Sequence, residues 1–283
     1  MLDTRPIRFG HSPDPDDAFM YYPLATGAVD TEGLVFEQVL EDIESLNRRA
    51  LAGELETTAA SVHACAYLAS RYAVLPCGAS MGDGYGPIVV ARRPMHLEDL
   101  PGATIAVPGL RTSAYLALRL AAGEIRHVVV PFDRIPAAVV SGQAEAGLLI
   151  HEGQLTYARE GLHRVVDLGA WWAERTDGLP LPLGVNIVRR DLGDAVMGAI
   201  GRSLRRAIDH SLQHRGAALG YASGYARGLD PALTDRFVSM YVNELTRDCG
   251  DRGRRAIRRF LEEGRRHAVI DAPSEPEPSF VEL

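Results

Sequence analysis

The chain has 283 residues, 46% hydrophobic and 24% charged, which excludes a disordered or fibrous protein and suffices for one large or two medium α/β domains. A formal net charge of −7 gives no electrostatic support for a polyanion partner, so no nucleic acid is expected. The three cysteines are widely separated and lack CxxC spacing, which fits a reducing compartment better than a disulfide or metal framework.

In chain order, "PIRFG", "LVFEQVL", "YAVLPCG" and "YGPIVVARR" read as strands, with helices predicted over "EDIESLNRRALAGE" and "SVHACAYLASR". In the first helix Ile43, Leu46, Ala50 and Leu51 recur at helical spacing and Gly53 offers a stop. The polar connector "RRPMHLEDLPG" marks a lobe boundary. A second unit follows: strands "ATIAVPG", "RHVVVPF", "AEAGLLI" and "RVVDLG" alternate with helices "TSAYLALRLAAG", "DRIPAAVVSGQ" and "HEGQLTYAREG". The run "WWAERTDGLPLPLGVNIVRRD" reads as a Trp pair and a Pro/Gly-rich loop entering one more strand, a second crossing between lobes. Beyond Asp191 the pattern is helical and is expected to pack back on the first lobe, and the tail "DAPSEPEPSFVEL" reads as extended.

Alternating strands and helices with one unit inserted in the other predict an α/β fold of two lobes. Residues 1–92 plus 190–283 form the larger lobe and residues 93–189 the smaller, resembling the hinged fold of periplasmic binding proteins (type II). In such folds ligands sit between the lobes, beyond the carboxyl ends of strands. Those ends supply the candidate residues.

After "PIRFG" comes His11-Ser12-Pro13-Asp14-Pro15-Asp16-Asp17. Helix capping explains one or two of these residues, whereas the whole constellation points to a loop that also lines a site. The interposed prolines match no metal-ligand spacing, so no metal is expected from His11, Asp14 and Asp16. Ala59, Ala60 and Ser61 stand at a strand-to-helix junction, where small residues let a ligand approach backbone N–H groups. A plain N-cap is the equally compatible role for Ser61. Thr112 and Ser113 repeat the device in the second unit as a carboxylate cradle, without the glycine spacing of a nucleotide site. Gly82, Gly84 and Gly86 precede a strand instead of following one, and read as a crossover turn. His151 ends the strand "AEAGLLI" and can titrate near neutral pH, so it is the candidate base acting on a bound small molecule.

The runs "FGHSPDPDDAFMYYPLATG", "LEDIESLNRRAL", "YGPIVVARRP", "RTSAYLAL", "AGLLIHEGQLTY" and "VVDLGAWWAERT" resemble the 1,4-dihydroxy-6-naphthoate synthase family of the futalosine route to menaquinone. The resemblance spans the chain from about Ile7 to the C-terminal helices. It implies a cofactor-independent lyase acting on a small anionic substrate. Cyclic dehypoxanthine futalosine would be cleaved to 1,4-dihydroxy-6-naphthoate and a three-carbon dihydroxyacetone fragment, with His151 as proton acceptor. It also implies ligand contacts at Ala59 to Ser61, Thr112 and Ser113, and brings Asn47 near the site. Ser12 and Asp14 join the expected substrate-binding set through the first loop. That loop departs from the family's frequent S-P-C-P-N-D, which points to a divergent branch. The alternatives are the chorismate dehydratase of the same pathway and a non-catalytic solute-binding protein. The N-terminal residues lack a stretch of signal-peptide length and no segment is apolar enough to span a bilayer, so a cytoplasmic protein with no membrane partner is expected.

Overall fold

The computed structural model describes residues 6–272 and 275–283. The chain opens with β1 (Ile7–His11), α1 (Pro15–Thr26), β2 (Phe36–Leu40), α2 (Ile43–Ala52), β3 (Thr57–Ser61), α3 (Val62–Cys65), β4 (Tyr72–Val74) and β5 (Ser80–Gly82). It continues through β6 (Ile88–Ala91), β7 (Thr104–Val107), α4 (Ser113–Ala122), β8 (Arg126–Val129), α5 (Ile135–Ser141), β9 (Ala146–Leu149), α6 (Gly153–Thr156), β10 (His163–Asp167) and α7 (Leu168–Arg175). It ends with β11 (Leu181–Arg189), α8 (Asp194–Gln213), α9 (Arg215–Ala222), α10 (Pro231–Tyr241), α11 (Glu244–Arg247) and α12 (Gly250–Arg266).

Two compact units result. The first comprises the described residues of Met1–Ser80, Gly184–Arg254 and Ala272–Leu283. Its sheet runs β2-β1-β3-β11-β4, with β5 also paired to β11. β2 and β3 are parallel to β1, whereas β11 is antiparallel to both β3 and β4. α8 presents Met197, Ile200, Leu204 and Ile208, a three-and-four-residue spacing, to a core that also holds Phe9, Phe19 and Leu75. Burying each such side chain contributes about 1.5–3 kcal/mol. A Cβ on Gly10 would stand 2.5 Å from Thr58 Oγ1 and 2.8 Å from Leu46, so glycine lets α2 and β3 close against β1.

The second unit comprises Met81–Leu183 and Arg255–Asp271. Its sheet runs β10-β6-β9-β7-β8, with β8 and β9 parallel to β7 and β6 antiparallel to β9 and β10. Ile88, Val90, Ala106, Ile135, Val139 and Leu149 form its core.

These units differ from the expected lobe limits. β6 hydrogen-bonds to β9 and β10, so it belongs to the second sheet and the first passage falls at 80/81. Beside that passage the Gly82–Gly86 turn is tight: a Cβ on Gly82 would meet the Tyr85 carbonyl at 1.9 Å. The return comes at 183/184, inside β11, instead of at 189/190. Residues 255–271 belong to the second unit and not the first, because Phe260 of α12 packs its ring edge against Trp172 at 5.3 Å.

Three local expectations also change. The Trp pair lies in helix α7, whose N-cap Asp167 accepts from Gly169 N at 2.9 Å and Ala170 N at 3.1 Å. "SVHACAYLASR" contains a single α-helical turn, since the backbone then switches to i→i+3 bonds such as Tyr67 N to Ala64 O. "HEGQLTYAREG" is four helical residues followed by a tighter turn. In the tail Phe280 bridges Val74 in parallel, and residues 273 and 274 lie outside the described set. Residues 1–5, where the reading of a leader-free start begins, lie outside it too. Cys65, Cys77 and Cys249 are buried free thiols. No helix among the described residues is long and apolar enough to cross a membrane.

Candidate active site

At the carboxyl edge of the first sheet, β1 ends in His11 and β3 in Ser61. Both are buried. The Ser61 backbone N–H donates to Asn47 Oδ1 at 2.9 Å while Asn47 Nδ2 donates to Ser61 Oγ at 3.0 Å, and Asn47 is itself wholly buried. This reciprocal pair leaves the hydroxyl proton of Ser61 with no acceptor among the described residues, and Ser61 makes no side-chain cap bond to α3. The plain-cap role for Ser61 is therefore not the one adopted. With only four residues, α3 also lacks the dipole that an anion site at its start would need. Ala59 and Ala60 lie on β3 opposite Asn186 and Val185, with Ala60 fully enclosed.

The loop after β1 folds on itself. Asp14 is the N-cap of α1, accepting from Asp17 N at 3.3 Å, and Asp17 Oδ2 reaches back to accept from Ser12 N at 2.8 Å. Arg227 Nη2 donates to the Pro13 carbonyl at 2.8 Å and fixes the loop from outside. Asp14, Asp16 and Asp17 bring one oxygen each to within 4.8 Å of one another, the one such group among the described residues. The prolines that matched no ligand spacing in the sequence thus do not keep the acids apart, and these three are the residues that could hold a cation. Burial, and then the charge of Asp14, raise Asp16 and Asp17 well above the ordinary carboxylate value. Bound protons or a cation would offset the crowded negative charge of the trio. Burial pushes the His11 imidazole down to about 4, against the lift from its 2.9 Å bond to the Ser12 carbonyl, so it is neutral at pH 7.

At the carboxyl edge of the second sheet, β7 leads to Thr112 and Ser113 and the neighbouring parallel strand β9 leads to His151. Thr112 is a true N-cap: its Oγ1 accepts from Tyr115 N at 3.1 Å and donates to the Gly109 carbonyl at 2.9 Å. Ser113 Oγ donates to the Leu183 carbonyl at 2.6 Å. α4 has ten residues, enough for its positive end to favour an anion. His151 sits in a turn with φ of 53°, a left-handed conformation that is strained for a residue with a Cβ. Its ring meets Phe132 edge-on at 4.8 Å, and its carbonyl accepts from Gln154 N at 3.2 Å. The imidazole is half-buried.

Ser61 ends β3 and His151 follows β9, whereas Ala59 and Ala60 lie within β3 and Asn47 on α2 reaches Ser61 through its side chain. Ser12, Asp14, Asn47, Ala59, Ala60 and Ser61 gather on the first unit, and Thr112, Ser113 and His151 on the second. Spacing alone missed Asn47, whose signal was a polar residue on the apolar face of an amphipathic helix, one position after Leu46. It also missed Phe132 as the aromatic neighbour of His151.

A family model described as menaquinone biosynthesis matches residues 7–266. A 1,4-dihydroxy-6-naphthoate synthase of Thermus thermophilus is 45% identical over 97% of this chain and 99% of its own length. A crystal structure of an Archaeoglobus fulgidus protein, 46% identical, covers 93% of this chain and 98% of its own with a TM-score of 0.89. An alkanesulfonate-binding protein of Xanthomonas axonopodis pv. citri, at 12% identity, covers 99% of this chain and 97% of its own with a TM-score of 0.70, which shows the two-lobe fold of periplasmic binding proteins. The chain belongs to the menaquinone-biosynthesis family.

Proposed function

We propose that the chain is a cytoplasmic carbon–carbon lyase that cleaves cyclic dehypoxanthine futalosine to 1,4-dihydroxy-6-naphthoate and dihydroxyacetone. The observation that carries this reading is the near-full-length 45% identity to the Thermus synthase. The geometry supports it at one point above all, an imidazole at the carboxyl end of β9 held in a strained turn. The His151 imidazole takes the proton of a substrate hydroxyl. The O–H electron pair becomes a carbonyl as the adjacent carbon–carbon bond breaks, and the electrons of that bond enter the ring system, which becomes aromatic. The step is redox-neutral. General-base assistance of this kind supplies about 10²- to 10⁴-fold, and orientation by the remaining contacts supplies the rest.

In this reading the ten-residue helix α4 offers its positive end to a substrate carboxylate, and the Ser61 hydroxyl, oriented by Asn47, donates to a substrate oxygen. The test follows naphthoate release from the cyclic substrate by the purified chain and by His151→Ala. Wild-type release with turnover lost in the variant supports the assignment. Full turnover in the variant removes His151 from the base role. Conversion of chorismate, with none of the cyclic substrate, would move the chain to the dehydratase reaction.

A further inference from the structure

The Trp171–Trp172 pair is the sequence feature that the proposed reaction leaves unused. On α7 the two indoles, with Leu120 of α4 and the last turns of α12, wall a cavity of about 300 Å³ within the second unit. Trp172 is its fixed wall: the side chain is buried, its N–H donates to the Pro180 carbonyl at 3.1 Å, and its ring stands edge-on to Phe260. Trp171 lies beside it, ring centroids 6.4 Å apart, with the Arg175 guanidinium over its ring at 4.9 Å.

The charge is one-sided. Glu263, only 9% exposed, meets Arg259 Nη2 at 2.7 Å and Arg266 Nη2 at 2.5 Å, with His267 Nε2 at 3.5 Å. One carboxylate thus organises two guanidiniums, and Arg175 has no carboxylate partner among the described residues. Three arginines therefore face a single acid around an aromatic-walled cavity. Helical i,i+4 pairing accounts for Arg259 with Glu263. The same spacing lays Arg175 on Trp171 within α7, but it does not account for the cavity, which α7 and α12 wall together with their cations. Planar aromatic surface beside forked cationic donors is the chemistry that recognises an aromatic carboxylate. Leu120 stands seven residues beyond Ser113, about 10 Å along α4, so this cavity is separate from the Thr112–Ser113 end of the helix.

We propose that the cavity is a second ligand site, for a small aromatic carboxylate. That the lyase product is a ligand of this class rests on the function proposed above; the site itself rests on the Trp pair and the three arginines. Both tryptophans of the chain are at this cavity, so indole emission reports it alone. Benzoate is a suitable probe because its absorption lies clear of that emission. In the full chain, benzoate changes the emission saturably, and Arg175→Gln and Arg266→Gln each weaken it by about tenfold or more. Cyclohexanecarboxylate, of equal charge but without the aromatic π system, binds more weakly, and inorganic phosphate gives no change. The proposal is overturned by the absence of a saturable change up to about 10 mM benzoate, by equal affinity in both variants, or by phosphate or cyclohexanecarboxylate matching benzoate. The comparison of probes on the wild-type chain decides even if a variant fails to fold. Both variants keep lyase turnover; a wild-type chain without that turnover would sink the proposed reaction and leave the benzoate titration to be judged by itself.

Discussion

Ser61 and Thr112 occupy the same place in the sequence pattern, a hydroxyl residue between a strand and a helix, and fold to opposite uses. Thr112 closes the first turn of a ten-residue helix and commits its own proton to the Gly109 carbonyl. Ser61 caps nothing, because α3 lasts four residues, and Asn47 grips it from the neighbouring helix instead. Helix length decides the role: a long helix draws the hydroxyl inward to its N–H groups, and a short one leaves the proton outward. The acids repeat the contrast on a larger scale. The first unit holds its candidate residues by burial and mutual hydrogen bonds, whereas the second holds His151 in a half-buried, strained turn.

That turn is where substitution acts most strongly. His151→Ala lowers turnover by about 10²- to 10⁴-fold while thermal unfolding stays at the wild-type temperature, since the side chain is half-buried and its removal creates little cavity. His151→Gly, which accepts the positive φ, is equally inactive and unfolds at a higher temperature. Asn47→Ala is expected to do the reverse. It strands the Ser61 N–H and the Ser61 hydroxyl oxygen in a buried site and destabilises the chain by about 1–3 kcal/mol in urea unfolding. The residual folded enzyme then shows a raised KM at near-normal kcat. A variant with intact stability and lost kcat would make Asn47 part of the chemistry instead of a positioning residue.

Much of this is legible in the sequence. Strand polarity alone put His151 and Ser61 at carboxyl edges, because the end of a strand in an α/β pattern is a local property. The antiparallel insertion of β11 between β3 and β4 was not legible: it pairs Asn186 with Ala59 across a large sequence separation, and nothing in either segment encodes its partner. For α12, the sequence pattern says helix but not that Trp172 will meet Phe260 across the second unit. The helix carrying the Trp pair had its signal in Asp167, a capping residue hidden at the end of a strand-like run. The acid trio reads in the sequence as a loop that lines a site and not as a group that could hold a cation, because its prolines match no ligand spacing, whereas the first turn of a helix gathers Asp14, Asp16 and Asp17 around one N-cap.

The acid trio makes stability depend on pH. Asp16 and Asp17 titrate above their ordinary value of 3.8 when folded, so their contribution is fully present below pH 3.8 and is lost as pH rises through the folded values. His11 opposes them: folded at about 4 against an ordinary 6.5, it contributes fully above 6.5 and is lost as pH falls toward 4. Asp16→Asn, which installs the residue frequent in the related loops, removes part of the acid contribution alone. It is expected to be more stable than wild type by about 1–2 kcal/mol at pH 8, the gap narrowing toward pH 4 in urea unfolding at both pH values. Equal stability at pH 8 would mean that a bound cation, not protons, balances the trio.

The smallest effect sharpens the comparison of the two hydroxyls. Thr112→Val keeps the shape and removes both bonds of the cap, so it is expected to cost about 1 kcal/mol and to lower the unfolding temperature by a few degrees. Ser61→Ala removes no cap and leaves only one Asn47 amide hydrogen unmatched, so its loss of stability is smaller and its main effect is on KM. The two variants therefore rank oppositely in unfolding and in substrate saturation. If Thr112→Val instead raised KM with unchanged unfolding, its hydroxyl would be the one given to ligand, and the short helix α3 would no longer explain why the two junctions differ.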